Sequence, residues 1–233
     1  MKVVILAAGK GTRMLPLTEN LPKALVQVNG KPFLYYLLKN LEKAGFTEIG
    51  IIVDHKKEMI MEFLKQNSFR ATVMTQHSQL GTGHAVKMAV PFVKQENFIV
   101  MPCDTLFSVK DLQAMKKDDG FCWVAVKHSE HPEKYGVCIT NQNELIAIVE
   151  KTRDCTGNLV NTCLIKLTPE IFPALNDIAK SKTGEYYLTD AVTAIGQKHK
   201  VKFIELQDEW IEITTPEDIT EAEKKLKSGE SEI

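Results

Sequence analysis

Val3-Val4-Ile5-Leu6-Ala7-Ala8-Gly9-Lys10-Gly11-Thr12-Arg13-Met14 opens the chain, and Pro22-Lys23-Ala24-Leu25 follows shortly after it. The leading apolar run has no polar interruption, the pattern of a strand buried on both faces. Gly9 and Gly11 take positive φ freely and carry no side chain to hold an anion away from backbone N–H groups, so the turn can wrap a polyphosphate. Ala7 and Ala8 leave room for a flat nucleobase or a ribose against the main chain. Arg13 can fork two hydrogen bonds onto phosphate oxygens, and Lys23 adds a mobile point charge. The intervening Leu15-Pro16-Leu17-Thr18-Glu19-Asn20-Leu21-Pro22 reads as an extended loop. Two other glycine motifs fail on these residues: Met14 stands where a dinucleotide fingerprint needs its third glycine, and no Gly-Lys-Ser/Thr occurs at P-loop spacing.

Outward from this turn, strand-like and helix-like runs alternate. Strands are expected at 2–6, 49–53, 73–76 and 98–101, and helices at 32–44 (stopping at Gly45), 56–66, 82–90 and 108–117. Such alternation predicts parallel strands joined by helical crossovers, an α/β fold. Strands then come closer together, at 122–127, 137–140, 145–150 and 159–166, which predicts hairpins and a mixed sheet. Helices near 169–180 and 186–199 follow, then a strand at 201–206. Thr215-Pro216-Glu217-Asp218 opens a last helix with a capping residue, an N-terminal proline and early acids. No Gly-, Pro- or Ser-rich linker divides the 233 residues, which predicts one domain, and the acidic tail from Ser228 is expected to fray.

Lys and Arg number 29 against 30 Asp and Glu, a net charge of −1, so nothing in the balance attracts nucleic acid or an anionic membrane. The five cysteines (Cys103, Cys122, Cys138, Cys155, Cys163) form no CxxC pair and suit reduced thiols. Lys10 and Arg13 cut the N-terminal apolar run short of the roughly 7–15 residues of a secretory signal, and no stretch nears the ~20 of a membrane span. A soluble, cytoplasmic protein with a small-molecule partner is expected.

With the turn, Lys23 and the strand order in view, the sequence resembles the sugar-phosphate nucleotidylyltransferases over nearly its whole length. Leu6-Ala-Ala-Gly-x-Gly-Thr-Arg-Met14 with Pro22-Lys23 matches that family's signature. Gln76-x-x-Gln79-Leu80-Gly81-Thr82-Gly83-His84-Ala85 is similar to the base-reading segment of N-acetylglucosamine-1-phosphate uridylyltransferases. Asp104, just past an apolar strand, stands where the family carries a magnesium-binding aspartate. Tyr135-Gly136-Val137, Glu150-Lys151 and Asn161 correspond to its sugar-phosphate pocket, and Trp210-Ile211-Glu212 to a Trp-x-Asp motif whose acid is the second metal ligand.

The resemblance implies a Rossmann-like three-layer α/β/α fold with a mixed, mostly parallel central sheet. It divides the single 1–233 domain into a nucleotide-binding half, about 1–107, and a sugar-phosphate-binding half, about 108–233. It implies attack of a sugar 1-phosphate (glucose or N-acetylglucosamine 1-phosphate) on the α-phosphate of UTP or dTTP, with Arg13 and Lys23 as catalytic cations. Leu6, Ala8, Gly9, Gly11, Thr12, Gln76, Gly81 and Thr82 are implied to bind the nucleotide, Gly136, Glu150, Lys151 and Asn161 the sugar phosphate, and Asp104 and Glu212 a Mg²⁺ cofactor. Base choice is expected to rest on backbone groups at Ala8 and Gly81, because the Gln76 amide can turn to serve either uracil or cytosine. Two departures stand out. Glu212 replaces the family's aspartate, as in the phosphocholine cytidylyltransferase branch, and no proline closely follows Asp104. The glutamate keeps open a cytidylyltransferase of a small phosphorylated alcohol, or a non-catalytic nucleotide-sugar sensor. Relatives often form homo-oligomers. The absence of hexapeptide repeats predicts no appended acyltransferase β-helix and no second activity.

Overall fold

A computed structural model describes residues 1–54, 56–150 and 157–227. Lys151, Cys155 and the acidic tail from Ser228 lie outside the described residues. In chain order the strands are β1 (Lys2–Ala7), β2 (Gln27–Val28), β3 (Lys31–Pro32), β4 (Ile49–Val53), β5 (Thr72–Thr75), β6 (Phe98–Pro102), β7 (Thr105–Leu106), β8 (Cys122–His128), β9 (Gly136–Asn141), β10 (Glu144–Glu150), β11 (Leu159–Leu167), β12 (Val201–Glu205) and β13 (Ile211–Glu212). The α-helices are α1 (Phe33–Lys43), α2 (Lys57–Gln66), α3 (Thr82–Lys87), α4 (Val90–Val93), α5 (Val109–Ala114), α6 (Ile171–Asp177), α7 (Leu188–Gly196) and α8 (Pro216–Lys227).

Nine strands form one sheet in the order β5-β4-β1-β6-β11-β8-β12-β10-β9. β1 pairs in parallel with β4 on one side (Val4↔Gly50) and with β6 on the other (Val4↔Val100), which is why its residues are apolar without alternation. Val3, Ile5 and Ala7 enter one core with residues of α1, α2 and α5, and Val4 and Ala8 enter a second core with residues of α3, α6 and α7. Each face of the sheet is therefore covered by helices. Only β10 and β11 run against the other strands of this sheet. The mixed sheet expected of the second half is present, and β11 carries it into the first half by pairing antiparallel with β6 (Ile165↔Val100).

α1 shows how local chemistry sets boundaries. Phe33, Leu34, Leu37, Leu38 and Leu41 make one buried stripe at helical spacing. The helix stops where Gly45 turns to φ +78°, with Gly45 N–H donating to Glu42 O and Phe46 N–H to Leu41 O, each at 2.9 Å. Those two bonds are a Schellman cap, which satisfies carbonyls that the helix end leaves open.

Three expectations are corrected. The helix expected over 82–90 divides into α3 and α4, because Pro91 has no N–H to continue the ladder and its ring crowds the preceding turn. The segment 15–22 is a run of turns rather than extended chain. Leu17 N–H donates to Met14 O at 2.9 Å and Glu19 N–H to Pro16 O at 3.1 Å. The Lys56 ammonium reaches the carbonyls of Thr18, Glu19 and Leu21 at 3.0, 3.1 and 3.4 Å, tying the turns to the start of α2. The third concerns Gly9, which does not take positive φ; only Gly11 does, at +65°.

Candidate active site

Ligands of open α/β sheets bind beyond the carboxyl ends of the strands, where the strand order reverses. Here the reversal falls at β1, since β4 and β5 lie to one side of it and β6 to the other. The Gly9–Arg13 turn leaves the carboxyl end of β1, Gln76 follows β5, and Asp104 follows β6. The residues singled out in the first half of the sequence thus gather along one edge.

The turn is held from below. Gly11 O accepts from the Thr18 hydroxyl at 2.7 Å, and a Cβ at Gly11 would lie 3.0 Å from Thr18 Cγ2, so this position is confined as well as left-handed. Gly9 is exposed, and a Cβ there would meet no atom within 4 Å. Thr12 and Arg13 begin a 3₁₀ turn (Thr12–Met14), both exposed, and Arg13 makes no hydrogen bond or ion pair among the described residues.

Lys23 and Asp104, distant in sequence, meet as an ion pair with Nζ 2.5 Å from Oδ2, the side chains 11% and 22% exposed. Glu212 is brought beside them by the ladder of β7 and β13: Glu212 opposes Thr105, and Ile213 N–H donates to Asp104 O at 2.9 Å. Its two carboxylate oxygens take one hydroxyl each, Oε1 from Thr214 at 2.8 Å and Oε2 from Tyr135 at 3.1 Å. Tyr135 stands edge-on to Trp210, and burial and the Glu212 charge hold its phenol well above the ordinary range. The Cys103 thiol is pushed up to about 12 by burial and the Asp104 charge, so it offers no thiolate at neutral pH. Asp104 does not cap the next helix; Ser108 does, its Oγ accepting from Asp111 N–H at 3.0 Å. Asp111, outside every motif named above, is buried and accepts from Gln207 and Asp208 N–H at 2.9 and 3.2 Å, fixing the loop that delivers β13. Its only signal in the sequence is the third position after Ser108, a capping spacing.

At the other end of this edge, Gly81 has φ +93°, and a Cβ would lie 2.6 Å from Tyr186 O, so only glycine fits. Gly83 N–H donates to Tyr186 O, and Tyr186 N–H to Leu80 O, both at 2.8 Å, which closes this loop onto the start of α7. The Thr82 hydroxyl accepts from Leu188 N–H at 3.0 Å, so part of its capacity goes to capping α7. Leu6 O accepts from Cys103 N–H at 3.1 Å, and Ala8 O from Gln79 Nε2 at 2.9 Å, so two carbonyls of the nucleotide set already hold donors. Gln76 is 4% exposed, with Nε2 2.9 Å from His84 Nδ1 and 3.3 Å from Gly81 O.

In the second half, Gly136 and Glu150 face each other across β9 and β10, where a Cβ on Gly136 would lie 2.8 Å from Ile148 Cγ2. Glu150 Oε1 accepts from the Thr189 hydroxyl at 2.8 Å. Asn161 is buried in β11, where the pairing with β8 shifts register, and its Oδ1 accepts from Cys163 N–H at 2.9 Å. Among the described residues no group of three or more His, Cys, Asp or Glu side chains could hold a metal; the acids nearest Lys23 in the β7–β13 ladder are Asp104 and Glu212, while Asp54, after β4, accepts from Gln79 Nε2 at 2.8 Å.

Known proteins resemble this chain throughout. The family model described as Nucleotidyl transferase matches residues 2–229. The bifunctional protein GlmU of Methanococcus maripaludis (strain C7) is 34% identical over 229 residues, 97% of this chain and 54% of that protein. The chain therefore spans about half the length of such curated relatives. The UTP–glucose-1-phosphate uridylyltransferase AglF of Haloferax volcanii is 34% identical over 238 residues, 97% of each chain. A crystal structure of UDP-glucose pyrophosphorylase complexed with UDP-glucose has the same fold, with a TM-score of 0.87, 23% identity and 98% of each chain covered.

Proposed function

Because the chain belongs to the nucleotidyl transferase family, we propose that it transfers a nucleoside monophosphate from UTP or dTTP to glucose 1-phosphate or N-acetylglucosamine 1-phosphate, releasing pyrophosphate. The observation that carries this reading is the convergence of the Gly9–Arg13 turn with Lys23, Asp104 and Glu212 at the carboxyl edge beside β1. We read the two helical layers about the sheet as Rossmann-like, with residues 1–107 serving the nucleotide and 108–233 the sugar phosphate.

The attacking sugar phosphate oxygen is already an anion, so no general base is needed. The work is to bring two repelling anions into line and to neutralise charge on the transferring group. The exposed Arg13 takes the β- and γ-phosphates. Lys23 moves from Asp104 towards the α-phosphate, and Lys151, outside the described residues, takes the incoming sugar phosphate. Gly9 and Gly11 offer their N–H groups to the triphosphate, Gln76 and Gly81 face the base, and Gly136, Glu150 and Asn161 line the sugar side.

The residues at Asp104 and Glu212 fit Mg²⁺. Both are hard oxygen donors, the neighbouring thiol is neutral, and each of the four carboxylate oxygens accepts one named donor, which leaves further lone-pair capacity. A magnesium ion held there supplies charge neutralisation on phosphate oxygens. The longer Glu212 reaches back from β13 and is steadied by Tyr135 and Thr214.

No helix among the described residues is long and apolar enough to cross a membrane, and the cysteines described are all free thiols, which supports a cytoplasmic site of action. Glu212 in place of aspartate is the observation that favours a cytidylyltransferase or a sensor. Pyrophosphate release from a panel of triphosphates and phosphorylated acceptors, with and without Mg²⁺, tests all three. Uridylyl or thymidylyl transfer to a sugar phosphate is expected. Fastest consumption of CTP with phosphocholine would favour the second reading, and tight nucleotide-sugar binding without turnover the third.

A further inference from the structure

A primary amide can be read in two orientations by a ligand, and which one a protein presents depends on what its nitrogen already holds. Gln76 has one neighbour that settles this. The Gly81 carbonyl can only accept, so the end of the amide 3.3 Å from it is the NH₂. The second amide hydrogen is directed to His84 Nδ1 at 2.9 Å, which makes that ring nitrogen the acceptor and leaves any ring proton on Nε2. Both donors of a side chain that is 4% exposed are therefore spent inside the protein. Its Oε1 has no hydrogen-bond partner among the described residues, yet no buried side-chain oxygen or nitrogen is sealed off without one, so this oxygen remains open to a ligand.

We propose that His84 is a positioning residue for base selection: together with the Gly81 carbonyl it holds the Gln76 nitrogen, and so keeps Oε1 as the presented group, an acceptor matched to the N3–H of uracil or thymine and opposed to the N3 lone pair of cytosine. This rests on the nucleotide seat proposed above. His84 lies in α3 with Lys87 one turn on. A lone glutamine would turn to suit either base; held by the Gly81 carbonyl at 3.3 Å and by His84 at 2.9 Å it does not.

Three preparations of the full chain test this: wild type, His84→Ala, which removes the acceptor, and His84→Asn, whose Oδ1 restores an acceptor near the position of Nδ1. The readouts are the ratio of kcat/KM for UTP to that for CTP with a sugar 1-phosphate, and the ¹⁵N-detected tautomer of His84 in the unliganded protein at pH 7.5. His84→Ala is expected to lower the ratio about tenfold, the worth of one oriented hydrogen bond, and His84→Asn to stay within about threefold of wild type. The ring should carry its proton on Nε2. A proton on Nδ1, or an unchanged ratio in His84→Ala with normal wild-type turnover of UTP, overturns the role of His84 alone. Wild-type protein that turns over neither triphosphate overturns the proposed function and the base choice with it, while the tautomer still decides how the amide is set.

Discussion

The two halves of the sheet handle polar groups in opposite ways. Along β5-β4-β1-β6, four parallel neighbours end at one edge, and the loops there leave Gly9 open and Arg13 exposed without a partner among the described residues. In the antiparallel half, Asn161 is turned onto Cys163 and Glu150 is held by Thr189, and beside the sheet, on the β7–β13 ladder, Glu212 is held by Tyr135 and Thr214. The first half leaves one cation, Arg13, exposed at its rim, whereas the second bonds its polar groups to neighbours within the chain. Parallel strands gather loops at a single edge, whereas antiparallel hairpins bring side chains face to face, so the difference follows from strand direction.

The largest effect that would break this contrast comes at its seam. Asp104→Asn should cut pyrophosphate release by about 10²–10³-fold while the protein stays folded, as the loss of a group that stabilises developing charge does. Activity within a few-fold of wild type, measured beside a thermal melt, would contradict the role given to the acid. Gly81→Ala forces a Cβ to within 2.6 Å of Tyr186 O at a left-handed φ, and should cost about 2–4 kcal/mol in denaturant unfolding. Gly9→Ala, with nothing within 4 Å, should be nearly silent in the same experiment. Equal losses in the two would erase the distinction between open and closed loops.

Arg13→Ala should lower kcat/KM for the triphosphate about 10–10²-fold, with stability unchanged within about 0.5 kcal/mol, since the side chain is exposed and has no partner among the described residues. A clear shift in melting temperature would mean that the free cation is structural after all. On the antiparallel side the expectation reverses: Tyr135→Phe removes a 3.1 Å bond to Glu212 and should cost about 1 kcal/mol of stability. The smallest effect concerns pH. Burial, then the Lys87 charge, lowers the pKa of His84 below 6.5, against the opposing pull of its bond to the Ser78 backbone. The unfolded chain therefore takes up this proton first as pH falls, so the contribution is complete above about 6.5 and is lost below it. The difference in melting temperature between wild type and His84→Asn should shrink between pH 7.5 and 5.5; a growing difference would reverse the assigned sign.

Much of the parallel half was legible in the sequence. Uninterrupted apolar runs mark β1 and β4, and Gly45 ends α1 through a cap whose chemistry is local. What escaped depends on distant partners. β7 and β13, two residues each, have no periodicity of their own and exist because residues 105–106 and 211–212 pair, yet they set Asp104 beside Glu212. The 15–22 segment looked extended from its prolines, but Lys56 and Thr18 fold it into turns. At the candidate site the motifs pointed to the residues but not to their present bonds. Nothing in the sequence shows that Lys23 rests on Asp104, that Thr82 caps α7, or that His84 holds Gln76.

β11 has a mechanical consequence. It bonds β6 on one flank and β8 on the other, and touches β9 at Val160↔Val137, so residues from both halves are stitched into a continuous ladder through its middle. Opening the molecule like a clamshell would tear that ladder. The glycine turn and the loop before α3 lie outside that ladder, so they can shift without breaking any of its bonds.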